Sequence, residues 1–424
     1  MRHAAHGLPL LLLLASAGCR GGGETVRIAP PGSGTGLPSE FLPPVRVGRG
    51  AAERRLKPLP PMPPAPETPE AVLRQLGSTD VRVCARALLA AARMNMKSAA
   101  PRARAILRAE DLVLAPLACA VLTRLEAEAA DEALARALGS RRGEVRLAAA
   151  RALGAAAGRP LSGAAERALA ARALRDRDAR VRAVGARTLG LRGSDRSIRA
   201  LGRALDRSGE ISPVRAECAL ALARRGDARG RRWLARAAST GHAAEAAPAL
   251  DCLGDLGDAD AAARLAAAAR GEDPFLAGVA VDAAARLPRE AARDAFGPLL
   301  AERGRPRWRA AVVLAPHDAR GAAGALLEAV ERADSSTRVR AARALGQARE
   351  ARAVGVLVRV LAGTGTPGSV RTACARALAA IGSAEALESL RFAADAPGPG
   401  RREAVAALRE LAAAEARREE REGR

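Results

Sequence analysis

Residues able to bind a metal, attack an electrophile or shuttle a proton are few in this chain and do not gather. It holds four histidines, His3, His6, His242 and His317, and six cysteines, Cys19, Cys84, Cys119, Cys218, Cys252 and Cys374. No CxxC and no Cys/His pair at ligand spacing occurs, so a zinc site has no ligand source. Cys218 and Cys374 each fall four residues after a valine, Val214 and Val370, where other stretches of the same pattern carry Ala. They therefore read as small buried apolar residues. Asp251, Asp255, Asp258 and Asp260 lack the regular acidic positions and closing Glu of a calcium loop. They read instead as turn and helix-cap residues. No glycine-rich phosphate loop, GxSxG or HExxH is present. The chain is expected to be non-enzymatic, with no cofactor and no metal.

What does recur at fixed spacing is a structural phrase. Val145-Arg146 runs to Leu153-Gly154, Val181-Arg182 to Leu189-Gly190, Val214-Arg215 to Leu222, and Val370-Arg371 to Leu378. In each, a Val-Arg pair opens an Ala-rich helix, a Leu follows eight residues after the Val, and a Gly-containing turn leads to a second apolar helix. Aligning on that Leu gives Leu89, Leu122, Leu153, Leu189, Leu222, Leu253, Leu287, Leu314, Leu345, Leu378 and Leu408, a period of roughly 32 residues. One such unit cannot bury its apolar face alone, so neighbours must stack into a solenoid. Gly154, Gly190 and Gly346 directly after the Leu, and Gly193, Gly226, Gly257 and Gly382 a turn later, are expected to end first helices in left-handed backbone. Ser194, Asp227, Asp258 and Ser383 are expected to cap the second helices.

Composition agrees with a repetitive, thinly packed core. Apolar residues make up 49% and aromatics 1%, with no Tyr, which leaves Ala, Leu and Val to fill the interior. The net charge is +23, yet Lys57 and Lys97 are the only lysines and Asn95 the only asparagine. Scarce Lys, Asn, Tyr, Phe and Ile beside abundant Ala, Arg, Gly and Pro is the mark of GC-rich coding. Most arginines are then expected to be solvated cations on helix faces rather than a nucleic-acid footprint.

The N-terminus reads as an address. Arg2, His3 and His6 precede an apolar run from Leu8 to Ala15, followed by Ser16, Ala17, Gly18 and Cys19. This is the layout of a secretory signal peptide over residues 1–18, too short to span a membrane. Ala17-Gly18-Cys19 resembles a bacterial lipobox, although Ser16 stands where Leu is usual. The resemblance implies lipidation of Cys19 and an envelope anchor, with Arg20 pointing to the outer membrane. Cleavage after Ala17 would instead give a soluble exported protein. Residues 19–69, with Gly21-Gly22-Gly23 and the Pro58–Pro69 cluster, read as a disordered tether. The array is expected over residues 70–415 and a charged tail over 416–424.

The phrase Asp-x-x-Val-Arg-x-x-x-Ala-x-x-Leu-Gly, matched best by Asp178 to Gly190, resembles HEAT repeats of the short variety known from phycobilisome lyases. The resemblance implies an all-α solenoid of about eleven stacked helix–turn–helix units. In that family the Arg after the anchor joins an Asp/Arg ladder. The matching positions here are Arg82, Arg146, Arg182, Arg215, Arg307, Arg338 and Arg371. Two readings stand open: each Arg pairs with an acid and stitches the array, or unpaired members face an anionic partner. Trp308, beside Arg307, fits a contact hot spot or a core filler equally well. A di-iron hydroxylase shares the repeat but needs His-Glu pairs, and no histidine here precedes Glu. The expected function is a non-catalytic, envelope-anchored scaffold that binds protein partners. The alternative is a binder of anionic polymer, nucleic acid or acidic glycan, through the Arg stripe; export removes nucleic acid from reach. A HEAT-repeat enzyme stands last.

Overall fold

The computed structural model describes residues 63–125, 127–155 and 159–422. The signal segment, Cys19 and most of the tether lie outside them. Among the described residues there are twenty-two α-helices and no strand. A lone α1 (Pro69–Leu76) precedes the array. Eleven first helices follow: α2 (Val81–Arg93), α4 (Ala115–Leu125), α6 (Gly143–Ala155), α8 (Ala179–Arg192), α10 (Ser212–Arg224), α12 (Ala243–Leu256), α14 (Pro274–Ala284), α16 (Arg305–Leu314), α18 (Ser335–Gln347), α20 (Gly368–Ile381) and α22 (Arg401–Glu422). The second helices between them are α3 (Ala100–Arg108), α5 (Ala127–Ala137), α7 (Gly163–Ala171), α9 (Ser197–Leu205), α11 (Ala228–Ala238), α13 (Ala259–Arg270), α15 (Arg289–Phe296), α17 (Ala319–Arg332), α19 (Val354–Ala362) and α21 (Ala384–Asp395). Ten complete hairpins thus stack between a single helix at each end.

First helices pack on first helices, α6 on α8 and α8 on α10, and second helices on second helices, α5 on α7 and α11 on α13. The result is a two-layer α-solenoid. Ala-rich sequence favours helix locally, and Ala at the contacts lets axes approach to the short end of the usual ~8–10 Å. Apart from Phe296, the largest fully buried side chains are leucines such as Leu153, Leu189, Leu222 and Leu234. The core is not one body. One cluster of buried side chains runs from Val72 to Leu314 and a second from Ala311 to Ala407, so the interior divides at α16.

Several helix ends follow the expected chemistry. Asp178, Asp227, Asp258 and Ser383 accept from Arg180, Arg229, Ala261 and Ala386 backbone N–H groups at the starts of α8, α11, α13 and α21. Gly257 and Gly382 end α12 and α20 in left-handed backbone. Ser194 stands three residues before the start of α9; its hydroxyl accepts from the Arg196 backbone N–H at 3.3 Å and donates to Glu166.

Gly154, Gly190 and Gly346 do not end helices. They lie inside α6, α8 and α18, with ordinary helical backbone. Their role is closeness. A Cβ on Gly190 would stand 2.6 Å from Ala221 Cα, and one on Gly346 2.8 Å from Ala377 Cα. The Leu-Gly pair therefore marks where one first helix presses against the next, and hydrogen is the side chain that fits there.

Candidate functional site

The seven stripe arginines occupy equivalent places near the starts of first helices, and three share one geometry. Arg146 sends Nε and Nη2 to the Asp176 carboxylate at 2.6 and 2.8 Å, while Nη1 donates to the Ser140 and Arg141 carbonyls. Arg182 repeats this on Glu210 at 2.9 and 2.7 Å, with Nη1 on the Asp176 and Arg177 carbonyls. Arg371 reaches Glu403 at 3.2 Å and the Thr366 carbonyl at 2.6 Å. In each case one prong of the fork holds the turn entering its own helix and the other holds a carboxylate of the next repeat. Arg146 and Arg182 hold their carboxylates bidentately, which fixes orientation as well as charge.

The remaining four diverge. Arg82 pairs with Asp80, the cap of its own helix; the hydrogen bond from Arg82 lowers the Asp80 pKa to about 2, and Asp80 in turn raises that of Arg82. Arg215 donates to the Leu205 carbonyl at 3.1 Å and lies over the Trp233 ring, 5.6 Å from its centroid. Arg338 donates to the Val330 carbonyl at 2.8 Å. Arg307 comes no nearer than 3.8 Å to Glu328, and its Nε is buried without an acceptor. The structure therefore engages Arg146, Arg182 and Arg371 between repeats, and does not bring the seven together as a free cationic surface.

The stripe has gaps because Ala115, Ala246 and Ala280 occupy the equivalent positions in α4, α12 and α14. Trp308 is half-buried against the second core cluster, and its indole N–H is buried without an acceptor. The aromatic that does meet an arginine is Trp233, a pairing the sequence does not announce, since Arg215 lies 18 residues away on another helix.

A second set of inter-repeat pairs lies further along the first helices. Arg187 binds Glu217, Arg286 binds Asp251 and Asp255, and Arg376 binds Glu410. The acidic run is thereby accounted for: Asp258 caps α13, Asp260 pairs with Arg264, and the other two hold Arg286. Two arginines are nearly fully buried. Arg192 donates to carbonyls of Leu153, Arg159 and Pro160 and to Asp131, and Arg309 to those of Ala269 and Gly271. Burial depresses the pKa of both, and both sit on carbonyls near helix C-terminal ends, where a cation is favoured. Sequence gives no sign of them, because a buried Arg on carbonyls needs no partner at a fixed spacing.

The five described thiols are buried and unpaired with one another. Burial pushes Cys119, Cys218 and Cys374 up to about 12. They are protonated fillers rather than nucleophiles. Among the described residues no three His, Cys, Asp or Glu side chains gather at metal-binding distance.

One surface feature escaped the repeat pattern. Leu112 and Val113 at the turn entering α4, Ile211 at the cap of α10, and Phe275 in the first turn of α14 are exposed. In a two-layer stack, every turn from a second helix to the next first helix lies along the same edge. These residues therefore recur along one edge of the stack, three and then two repeats apart. Leu73, Met94, Leu191 and Phe392 are also exposed, on α1, at the end of α2, near the end of α8 and on α21.

Comparison with known proteins bears on the fold. Residues 323–409 match the family model for HEAT repeats. No curated protein matches the chain. Human deoxyhypusine hydroxylase is similar at 25% identity over 68% of this chain and 98% of its own, with a TM-score of 0.28. The complex of CpcE and CpcF of phycocyanin lyase from Nostoc is similar at 18% identity over 54% and 92%, with a TM-score of 0.30. Importin beta is similar at 15% identity over 77% and 53%, with a TM-score of 0.39. With HEAT repeats matched from α17 into α22, and the same two-helix unit stacked throughout, the described chain is an α-solenoid built of HEAT-like repeats.

Proposed function

We propose that this protein is a non-catalytic scaffold, exported and anchored in the cell envelope through Cys19, that holds protein partners on its solenoid surface. The observation that carries the binding reading is the recurrence of exposed apolar residues along one edge. Single exposed apolar residues are ordinary on any surface. A set repeated along one edge of a stack offers several small contacts to one extended partner, and linked contacts gain affinity without any one being large. The stripe arginines act as stitches in this reading, since Arg146, Arg182 and Arg371 are committed to carboxylates of neighbouring repeats. The address rests on the Leu8–Ala15 run and on Ala17-Gly18-Cys19.

The binding test places a photo-crosslinking residue at Ile211 or at Phe275 in the exported protein. Both positions should trap the same partner, and Val113→Asp with Phe275→Asp should abolish the Ile211 crosslink while circular dichroism stays unchanged. Different partners at the two positions, or a crosslink indifferent to the distant substitutions, would sink the multivalent reading. The address test is the intact mass and membrane partitioning of wild type beside Cys19→Ala. A lipidated species beginning at Cys19, released to the soluble fraction by the substitution, is expected. A chain beginning at Gly18 would replace the anchor with soluble export.

A further inference from the structure

The second-helix layer carries a cationic cleft that the scaffold function does not use. It lies where the 3-10 turn Ala173–Arg175, which follows α7, meets α9. Its lining is Ala170, Leu174, Arg175, Ala200, Arg203 and Arg207, around a volume of about 200 Å³. Ala170, Leu174 and Ala200 back it, and three guanidiniums make most of its exposed surface.

Local charge does not balance there. Three acids adjoin the lining, Asp176, Asp206 and Glu210; Asp206 is exposed, and Asp176 and Glu210 are already held bidentately, by Arg146 and by Arg182. Arg207 is fixed by the Leu174 carbonyl at 2.9 Å and shares Glu210 at 3.0 Å. One carboxylate thus serves two guanidiniums. Arg175 and Arg203 are exposed, and among the described residues neither meets an acceptor or an acid. Arg175, Arg203, Arg207 and Arg182 against Glu210 and the exposed Asp206 leave an excess of two positive charges. Arg207 is held in place while Arg175 and Arg203 are free to close on a guest. Such an arrangement suits a compact dianion, which several guanidinium forks can share through charge-assisted hydrogen bonds. The volume corresponds to roughly seven waters at ~30 Å³ each, which exceeds a bare phosphate ion and admits a short organic stem.

We infer that this cleft is a binding site for a phosphate monoester, a phosphoryl group carried on a small organic stem. The inference is independent of the exposed apolar residues and of the anchor. The guest could be a soluble phosphoester or the headgroup of an anionic lipid, which present the same chemistry.

The test is isothermal titration of the full mature chain with glycerol 3-phosphate, and in parallel sedimentation with vesicles containing phosphatidic acid, whose headgroup is a phosphate monoester. Arg175→Gln and Arg203→Gln remove exposed, unpartnered side chains and should leave the fold intact by circular dichroism. Arg236→Gln, an exposed arginine on α11 outside the cleft, is the charge-matched control. Wild type should bind one glycerol 3-phosphate per chain, with Arg203→Gln and Arg175→Gln each weakening binding by about tenfold or more, as loss of a charged hydrogen bond implies. Arg236→Gln should change it by less than about twofold. Binding to vesicles alone, lost in Arg203→Gln and kept in Arg236→Gln, would support the site and assign it to lipid. Equal losses in Arg203→Gln and Arg236→Gln would reduce the effect to net charge and overturn the site. So would no binding to either probe up to about 10 mM phosphoester, a level at which even weak charged contacts register.

Discussion

Two stretches of the same array are built to different tolerances. From α6 to α10 the first helices are locked twice. Arg146–Asp176 and Arg182–Glu210 clamp each entry turn to the next, and Gly190 lets α8 meet α10 at the Ala221 backbone. From α14 to α18 both locks fail. Pro306 replaces the anchor valine, the 3-10 segment Gly297–Ala301 and the positive-φ Gly304 precede α16, and Arg307 finds Glu328 only at 3.8 Å. The hydrophobic core divides at this helix. Two contacts remain: buried Arg309 of α16 holds the Ala269 and Gly271 carbonyls at the end of α13, and Arg340 of α18 reaches past α16 to Asp282 of α14 at 2.6 Å. A degenerate repeat keeps its helices when the phrase decays and loses the stripe fastening, because helix propensity is local whereas each such pair needs two repeats in register.

The two tryptophans make that contrast measurable, since Trp233 lies on α11 beside the tight stack and Trp308 lies on α16. Urea unfolding of the Trp233→Phe and Trp308→Phe single-tryptophan proteins should show the Trp308 signal changing at lower denaturant than the Trp233 signal. Coincident transitions would mean that the array unfolds as one unit and that the loose junction has no energetic meaning.

The largest expected effect is from Arg146→Ala, which strands the buried Asp176 carboxylate and should lower stability by about 3–5 kcal/mol. Arg307→Ala, at the equivalent place in the loose region, should cost less than about 0.5 kcal/mol. Equal losses would erase the comparison. The tight pair also carries a pH signature. Burial opposes the charge on Asp176, yet Arg146 outweighs it and holds the carboxyl below its ordinary 3.8. A depressed carboxylate pKa stabilises the fold above the unfolded pKa, and that contribution disappears as pH falls through the folded pKa. Asp176→Asn should therefore be less stable than wild type at neutral pH and lose less on acidification below about pH 4.

Next in size is Gly190→Ala. Alanine favours a helix by about 1 kcal/mol over glycine, but here its Cβ meets backbone, so a net loss of about 1–3 kcal/mol is expected. Gly324, inside α17 with nothing near its missing Cβ, is the counterpart, and Gly324→Ala should gain about 0.5–1 kcal/mol. Thermal or urea unfolding gives both signs, and a gain at Gly190 would refute the close-approach reading. A small effect is also expected from Asp282→Ala, which opens the partly exposed Arg340 clasp. It should cost under about 1 kcal/mol and show most clearly as faster hydrogen exchange in α16.

The fold was legible because it is written repeatedly. The eleven leucines fall one to each first helix, or just past its end for Leu287, and caps such as Asp178 and Asp258 stand where their side chains must accept. These are local rules with short reach. The glycines were half legible: Gly257 and Gly382 end helices as a C-cap glycine should, but Gly190 and Gly346 serve a neighbour about thirty residues away. No local rule distinguishes the two uses. The stripe was legible as a set of positions and illegible as a set of roles, since Arg182 finds Glu210 and Arg307 finds almost nothing.

What the sequence determined by itself is therefore periodic: the helical pairs, their order, their caps and the poverty of catalytic side chains. Tertiary structure alone decided which charges are spent. It consumed Asp176 and Glu210 on Arg146 and Arg182, left Arg175 and Arg203 unmet beside them, and set Leu112, Val113, Ile211 and Phe275 along one edge. The reason is physical. Helix formation is governed by neighbours within a turn or two, whereas neutralisation and exposure depend on what stacking brings to the same few ångströms.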